Sequence, residues 1–300
     1  MKRFIYADNS ATTGIAPQVL EKMMPYLTTE YGNASSLYEF GGRAKMAVEK
    51  ARQQVADAIG ATAREIFFTG GGSESDNWAL KGYAKTMLKK GKNHIISSKF
   101  EHHAILHTLD ALKKEGIEVT LLDVHSDGLV RPEELEAAIT DKTGLVSIMY
   151  ANNEIGTVQP IAEIGKICHD HGIVFHTDAV QAVGNVPIDV VKENIDMLSM
   201  SGHKFHGPKG IGVLYIKKGI YFPNLIDGGA QESGRRAGTE NTAGIVGIGE
   251  AITLAVKNMD KRAEVCREIS NYIMDNCSKI ERSRVNGDRT HRLPGNVSMC

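Results

Sequence analysis

An α/β fold, with a mostly parallel sheet covered by helices on both faces and a second, smaller lobe, is predicted from three observations. Short apolar runs alternate with stretches of helical periodicity along most of the chain, the pattern of repeated strand–helix–strand units. Motifs rich in glycine, histidine and small polar residues fall directly after the apolar runs, where the crevice of such a sheet lies. The length, 300 residues, suffices for one large core and an appendage, burying roughly three quarters of the unfolded surface.

Taken in order, Phe4–Ala7 reads as a first short strand, and Pro17 opens a helix through about Leu27, since proline's missing N–H costs nothing in a first turn. Between Gly42 and Gly60, residues Ala44, Ala47, Val48, Ala51, Val55, Ala58 and Ile59 recur at three- and four-residue steps, predicting an amphipathic helix stopped by Gly60. Ile66–Thr69 reads as a buried strand that runs into the glycine-rich turn Gly70–Asn77 and a helix opened by Ser73 and reaching about Lys90. Strands at His94–Ser98, Val119–Val124 and Leu145–Tyr150 alternate with a helix from Glu101 to about Glu115 and a shorter one from Pro132. A helix over Ile161–His171, ended by Gly172, leads to strands at Ile173–Phe175, Met197–Met200 and Ile211–Ile216. Helices at about Asn241–Met259 and Arg262–Ile280 follow, and Asn296–Met299 reads as a strand entering a second sheet. The expected division gives a large body at 13–259, with 1–12 and 260–300 as an N-terminal segment and the start of a small domain.

Composition narrows the partners. With 35 basic and 36 acidic residues the formal charge is -1, which offers no electrostatic footprint for nucleic acid or an anionic membrane. Four cysteines, none in a Cys-x-x-Cys pair, are too few for a disulfide scaffold and point to a reducing cytoplasm. The first residues, Met1–Asp8, lack the apolar region of a signal peptide, and no later run approaches a membrane span. The expected setting is cytoplasmic.

The chemistry centres on Lys204, in Ser201–Gly210, directly after an apolar run. A lysine on such a loop becomes nucleophilic when desolvation or a cationic neighbour lowers its pKa, and it then forms Schiff bases with aldehydes such as pyridoxal phosphate. Asp178 follows the run Ile173–Phe175, at the sheet edge where ligands bind, and a carboxylate there can pair with a protonated pyridine nitrogen. The strand, glycine turn and helix around Gly70–Asn77 form an anion site, in which unpaired N–H groups and the positive helix end converge. Ser73-x-x-Asp76 also reads as a capping pattern. The turn lacks the last glycine of a dinucleotide fingerprint, and the chain contains no Gly-x-x-x-x-Gly-Lys-Ser/Thr.

These stretches, His176–Gln181 and Ser201–Gly210, together with Tyr6–Thr13, Asn33–Ser36, Thr69–Asn77, Glu101–His103, Asn152–Gly156, Arg236–Thr239 and Leu293–Ser298, resemble the cysteine desulfurases (NifS/IscS-like) of the class V aminotransferase group. The resemblance implies a fold-type I pyridoxal phosphate transferase, a mostly parallel seven-stranded-type sheet sandwiched by helices, with an incomplete small α+β domain. It implies pyridoxal 5'-phosphate bound by Lys204, with Asp178 at the ring nitrogen and Gln181 at the ring hydroxyl. His102 is implied to stack on the ring and act as an acid or base, and Asn153 to lie near cofactor and substrate. Gly72, Ser73, Ser201 and His203 are the implied phosphate contacts. Thr239 is implied to reach the phosphate of the other subunit of a homodimer. Zinc through His103 and His107 lacks a third ligand, so no metal is expected.

The reaction so implied takes sulfur from L-cysteine, leaves L-alanine and passes the sulfur to an acceptor such as an iron–sulfur scaffold protein. Another class V reaction, transamination or selenocysteine lysis, and a catalytically incomplete partner-binding subunit are the alternatives. In the family a cysteine on a mobile loop carries the sulfur and an arginine clamps the substrate carboxylate, and neither has a counterpart here. Cys300 follows Asn296-Val-Ser298, a motif ahead of that loop, and is not read as the nucleophile. Cofactor binding without sulfur transfer is therefore expected of these 300 residues.

Overall fold

The structure, a computed structural model, describes residues 4–300. Strands β1 (Ile66–Thr69), β2 (His94–Ser98), β3 (Glu118–Leu122), β4 (Thr143–Ser147), β5 (Val174–Asp178), β6 (Met197–Ser201) and β7 (Gly212–Ile216) form one sheet in the order β1-β7-β6-β5-β4-β2-β3. Strands β3, β2, β4, β5 and β6 pair in parallel, whereas β7 runs antiparallel to both β6 and β1. The reversal follows from the loop 202–211, which is too short to hold the helix a parallel crossover needs. Every strand but the edge strand β3 is buried at all positions, as expected of apolar runs covered on both faces.

Side chains alternate between two cores, so Ile96 packs into one and its neighbour Ile95 into the other. The larger core lies under α1 (Pro17–Thr28), α2 (Glu39–Ile59), α5 (Pro132–Ala138), α6 (Ile161–Asp170) and α7 (Thr242–Lys257). The smaller lies under α3 (Gly72–Lys89) and α4 (His103–Lys113), with Trp78 fully buried among Phe67, Phe222 and Leu214. The stop predicted at Gly60 is observed: it caps α2 at φ +72°, a conformation that costs glycine nothing. The last helix, α8, runs over Met259–Cys277. No helix among the described residues is long and apolar enough to cross a membrane.

Three local expectations are corrected. Phe4–Ala7 is not a strand; it is exposed, with Phe4 86% accessible, and its backbone is paired with no strand. Helix α3 opens at Gly72 behind Gly71, so Ser73 sits inside the first turn and does not cap it. Asn296–Met299 forms no strand either; its one ladder contact is a bridge from Met299 to Val285, since no second sheet is present among the described residues to receive it.

Candidate active site

The C-terminal ends of β5 and β6 and the N-terminus of α3 open on one cavity of ≈ 730 Å³. Strand β5 delivers Asp178 to its floor, where the carboxylate accepts the Val180 N–H at 2.9 Å. Strand β6 ends at Ser201, and the single turn Gly202–Lys204 swings Lys204 back over the floor. The lysine Nζ donates to the carbonyls of Ser10 and Ala11, the latter at 3.1 Å.

Burial dominates the electrostatics. It lowers the pKa of Lys204 against the opposing pull of Asp178 and Asp8, moving the side chain toward the free, nucleophilic amine. Burial also raises the pKa of Asp178, even though the Val180 N–H, His102 and Lys204 all favour its charged form.

The approach of α3 is set by glycine. A Cβ at Gly72 would stand 2.7 Å from Val180 Cγ2, and Gly71 holds φ +154°, so only glycine lets the helix end meet the exit of β5 this closely. By position, the N–H groups of Gly72 and Ser73 have no partner within the helix. Ser201 and His203 also line the cavity. His203 Nδ1 lies 3.0 Å from Thr12 Oγ1, and burial, then Lys204 and Lys209, lower its pKa and keep the ring neutral.

His102 is the exposed N-cap of α4 and faces the cavity. Its Nδ1 accepts the Ala104 N–H at 3.1 Å, which leaves Nε2 to carry the proton of the neutral ring. Gln181 also lines the cavity, but its amide donates to the Ser10 carbonyl at 3.0 Å, the carbonyl that Lys204 uses. Asn153 also lines the cavity, its amide donating to the Glu154 carboxylate at 2.9 Å. Thr239 is exposed and does not line the cavity of its own chain. His103 and His107 stack on each other at 5.1 Å on the surface of α4, and no group among the described residues is suited to a metal ion.

Sequence reading missed several cavity residues. Asp76, in the sequence one half of a capping pattern, lies one turn into α3 because the helix starts at Gly72, and it shares the face turned to β5. The rim formed by Ala7, Asp8, Ser10 and Ala11 on one side and Gly295–Val297 on the other left no periodic signal, because both segments are irregular.

The Aminotransferase class-V family matches residues 5–300. The chain is 54% identical to Cysteine desulfurase IscS of Clostridium botulinum, over 99% of this chain and 76% of that protein. It is 53% identical to the protein of the same name from Methanosarcina thermophila, over 98% and 73%. Among solved structures, a NifS-like protein superposes with a TM-score of 0.96 at 39% identity, covering 99% of this chain and 81% of that one. A structure of SspA in complex with cysteine gives 0.81 at 44% identity, over 83% and 72%. Sequence and fold agree over nearly the whole chain, which belongs to the class V aminotransferase family, among its pyridoxal-phosphate-dependent cysteine desulfurases.

Proposed function

We propose that the cavity holds pyridoxal 5'-phosphate between Lys204, Asp178 and the N-terminus of α3, and that its substrate is L-cysteine. The observation that carries this reading is that a half-buried amine, Lys204, and a buried carboxylate, Asp178, line one cavity with the glycine-built start of α3. The residues fit the cofactor's three polar groups: Lys204 its aldehyde, Asp178 a cationic ring nitrogen, and the glycine-built start of α3 its phosphate. One structural relative is described in complex with cysteine, which supports the substrate.

When bound, the cofactor supplies an electron sink for charge developing at the substrate α-carbon. Lys204, freed from the Ser10 and Ala11 carbonyls, holds the cofactor and moves a proton at that carbon. Asp178 stays anionic against the ring nitrogen. His102, with Nε2 free, covers the ring and moves a second proton. Ser73, Ser201 and His203 complete the phosphate contacts, Gln181 orients the ring once released from Ser10, and Asn153 orients the substrate. Residues 13–259 form the cofactor-holding body in this reading, with 1–12 and 260–300 contributing the rim.

Desulfuration also needs a thiolate to accept sulfur as the substrate C–S bond breaks. None of the four cysteines among the described residues lines the ≈ 730 Å³ cavity. Burial pushes the Cys168 thiol up, away from the thiolate. Among the described residues the cavity therefore supplies groups for cofactor binding and no sulfur acceptor. Passage of sulfur to an acceptor such as an iron–sulfur scaffold protein is supported by the resemblance alone. A homodimer is supported by the exposed Tyr31, Leu37, Tyr38 and Met46, apolar side chains of the kind partners cover, and by Thr239 being exposed and outside the lining of its own chain's cavity. A monomer in sedimentation experiments would remove that support.

The test is borohydride reduction of the cofactor-loaded chain followed by peptide mapping, with the pyridoxyl label expected on Lys204. A label on another lysine overturns the assignment. Given L-cysteine, the same preparation is expected to release sulfide no faster than the free cofactor; turnover that disappears in Cys266→Ser or Cys300→Ser would overturn the separation of the two activities.

A further inference from the structure

Behind Asp178 lies a second buried carboxyl that the proposed chemistry does not use. Asp76, on the first turns of α3, is 1% accessible and lines the cavity floor. Its Oδ1 has no hydrogen-bond partner. The nearest basic group is His176, fully buried on β5, whose Nε2 lies 3.7 Å from that oxygen. Both imidazole nitrogens already face hydroxyls, Nδ1 with Ser147 Oγ at 2.9 Å and Nε2 with Ser199 Oγ at 3.1 Å, so a neutral ring satisfies the site. Burial holds His176 neutral, its pKa pushed down to about 3.

Three buried carboxyls therefore share this region: Asp76 on α3, Glu101 ahead of α4 and Asp178 at the end of β5. The groups that favour the charged form of Asp178 are the Val180 N–H, His102 and Lys204. Asp76 has no comparable partner; burial first, then Asp178 and more weakly Glu101, raise its pKa well above the carboxylate range, opposed by the Ser199 hydroxyl. Like charges crowded into a desolvated site cannot all ionise, and the carboxyl without a cation keeps its proton.

We propose that Asp76 stands as a neutral carboxylic acid under the cavity floor, a positioning residue whose bound proton leaves Asp178 as the anionic carboxylate there. The inference rests on the reading that Asp178 faces the cofactor's ring nitrogen. A second anion beside it would compete for the same cationic ring and draw it off line; a neutral acid packs against His176 and Ser199 without competing.

The test is infrared spectroscopy of the cofactor-free chain at neutral pH, with isotope-labelled carboxyls on aspartate alone so that Glu101 is silent. The carbonyl stretch of a protonated aspartic acid is expected in the parent and in Asp178→Asn, and is expected to vanish in Asp76→Asn. A parent without that band, or a band lost in Asp178→Asn and kept in Asp76→Asn, overturns the proposal. In cofactor titrations Asp76→Asn, a neutral isostere, is expected to keep the parent's affinity while Asp178→Asn loses it; equal losses would show that Asp76 had been charged. If the parent itself takes up no cofactor, the reading of the cavity fails, while the infrared result on Asp76 still stands.

Discussion

The floor of the cavity and its rim are made of different kinds of chain. The floor is the ends of β5 and β6 with the first turn of α3, where Asp178, Ser201 and Gly72 are buried and their backbones belong to regular elements. The rim is irregular backbone, with Asp8 and Gly295 exposed and Asn296 tied across by a 3.3 Å bond from its amide to the Asn153 carbonyl. Floor groups can be displaced only by opening the sheet, at a cost near that of global unfolding, whereas the rim can open locally. Ionisation is thus fixed by the sheet and access by the loops, so the two can be perturbed separately.

The sharpest way to break that separation is at the floor. Asp178→Asn removes one partner of a desolvated charge pair with the cofactor, which costs about 3–5 kcal/mol. That corresponds to roughly two to four orders of magnitude in cofactor affinity. Fluorescence titration measures it; a loss below about tenfold (~1.4 kcal/mol) would show that Asp178 is not the ring's partner.

Glu101 sharpens the comparison from behind the floor. It is buried, accepts the Ser98 hydroxyl at 2.5 Å and the Met149 N–H at 2.9 Å, and leaves Oε2 without a partner. Burial raises its pKa from 4.5 to about 8. The folded chain thus keeps a proton that the unfolded chain has lost. The stabilisation is complete below pH 4.5 and falls away as the pH rises through about 8. Glu101→Gln, which cannot ionise, is expected to lose on the order of a few kcal/mol less stability than the parent across that interval. Urea unfolding at several pH values checks it, and parallel pH profiles for parent and variant would contradict it.

How much of this was legible in sequence follows the same division. The strands before Asp178 and Lys204 were readable because buried parallel strands are continuous apolar runs, and the residues after them fall where a sheet's crevice must lie. Lys204, Asp178, Gly72 and His102 were found on those grounds together with the resemblance, and the structure brings all of them to one cavity. The helix cap was misplaced by two residues, at Ser73 rather than Gly71, because Gly71 caps α3 through its backbone conformation, which leaves no side-chain signature, and that shift hid the inward turn of Asp76. The rim was legible only as motif, since Tyr6–Thr13 and Leu293–Ser298 are among the stretches that carry the resemblance, and nothing in them marks a cavity wall. Irregular segments carry no period, and which of them cross a cavity is decided by tertiary contacts such as the 2.9 Å bond from the Leu293 N–H to the Gly156 carbonyl.

That contact offers the smallest expected effect and the closest test of separability. Gly156 adopts φ +76°, and a Cβ there would stand 2.4 Å from Asn296 Oδ1. Gly156→Ala therefore imposes a left-handed alanine, at about 1–2 kcal/mol, and pushes aside the side chain that ties residues 292–296 to the wall. Asn296 also accepts from Arg292 Nη1 at 2.9 Å, so its displacement loosens both ends of the strap. The floor, built from β5, β6 and α3, shares no backbone with this strap. Stability should accordingly fall by about that 1–2 kcal/mol, and limited proteolysis between 290 and 297 should quicken. Cofactor affinity should stay close to the parent's. If Gly156→Ala instead weakened cofactor binding as far as Asp178→Asn does, rim and floor would be one cooperative unit, and the assignment of ionisation to the sheet and access to the loops would be wrong.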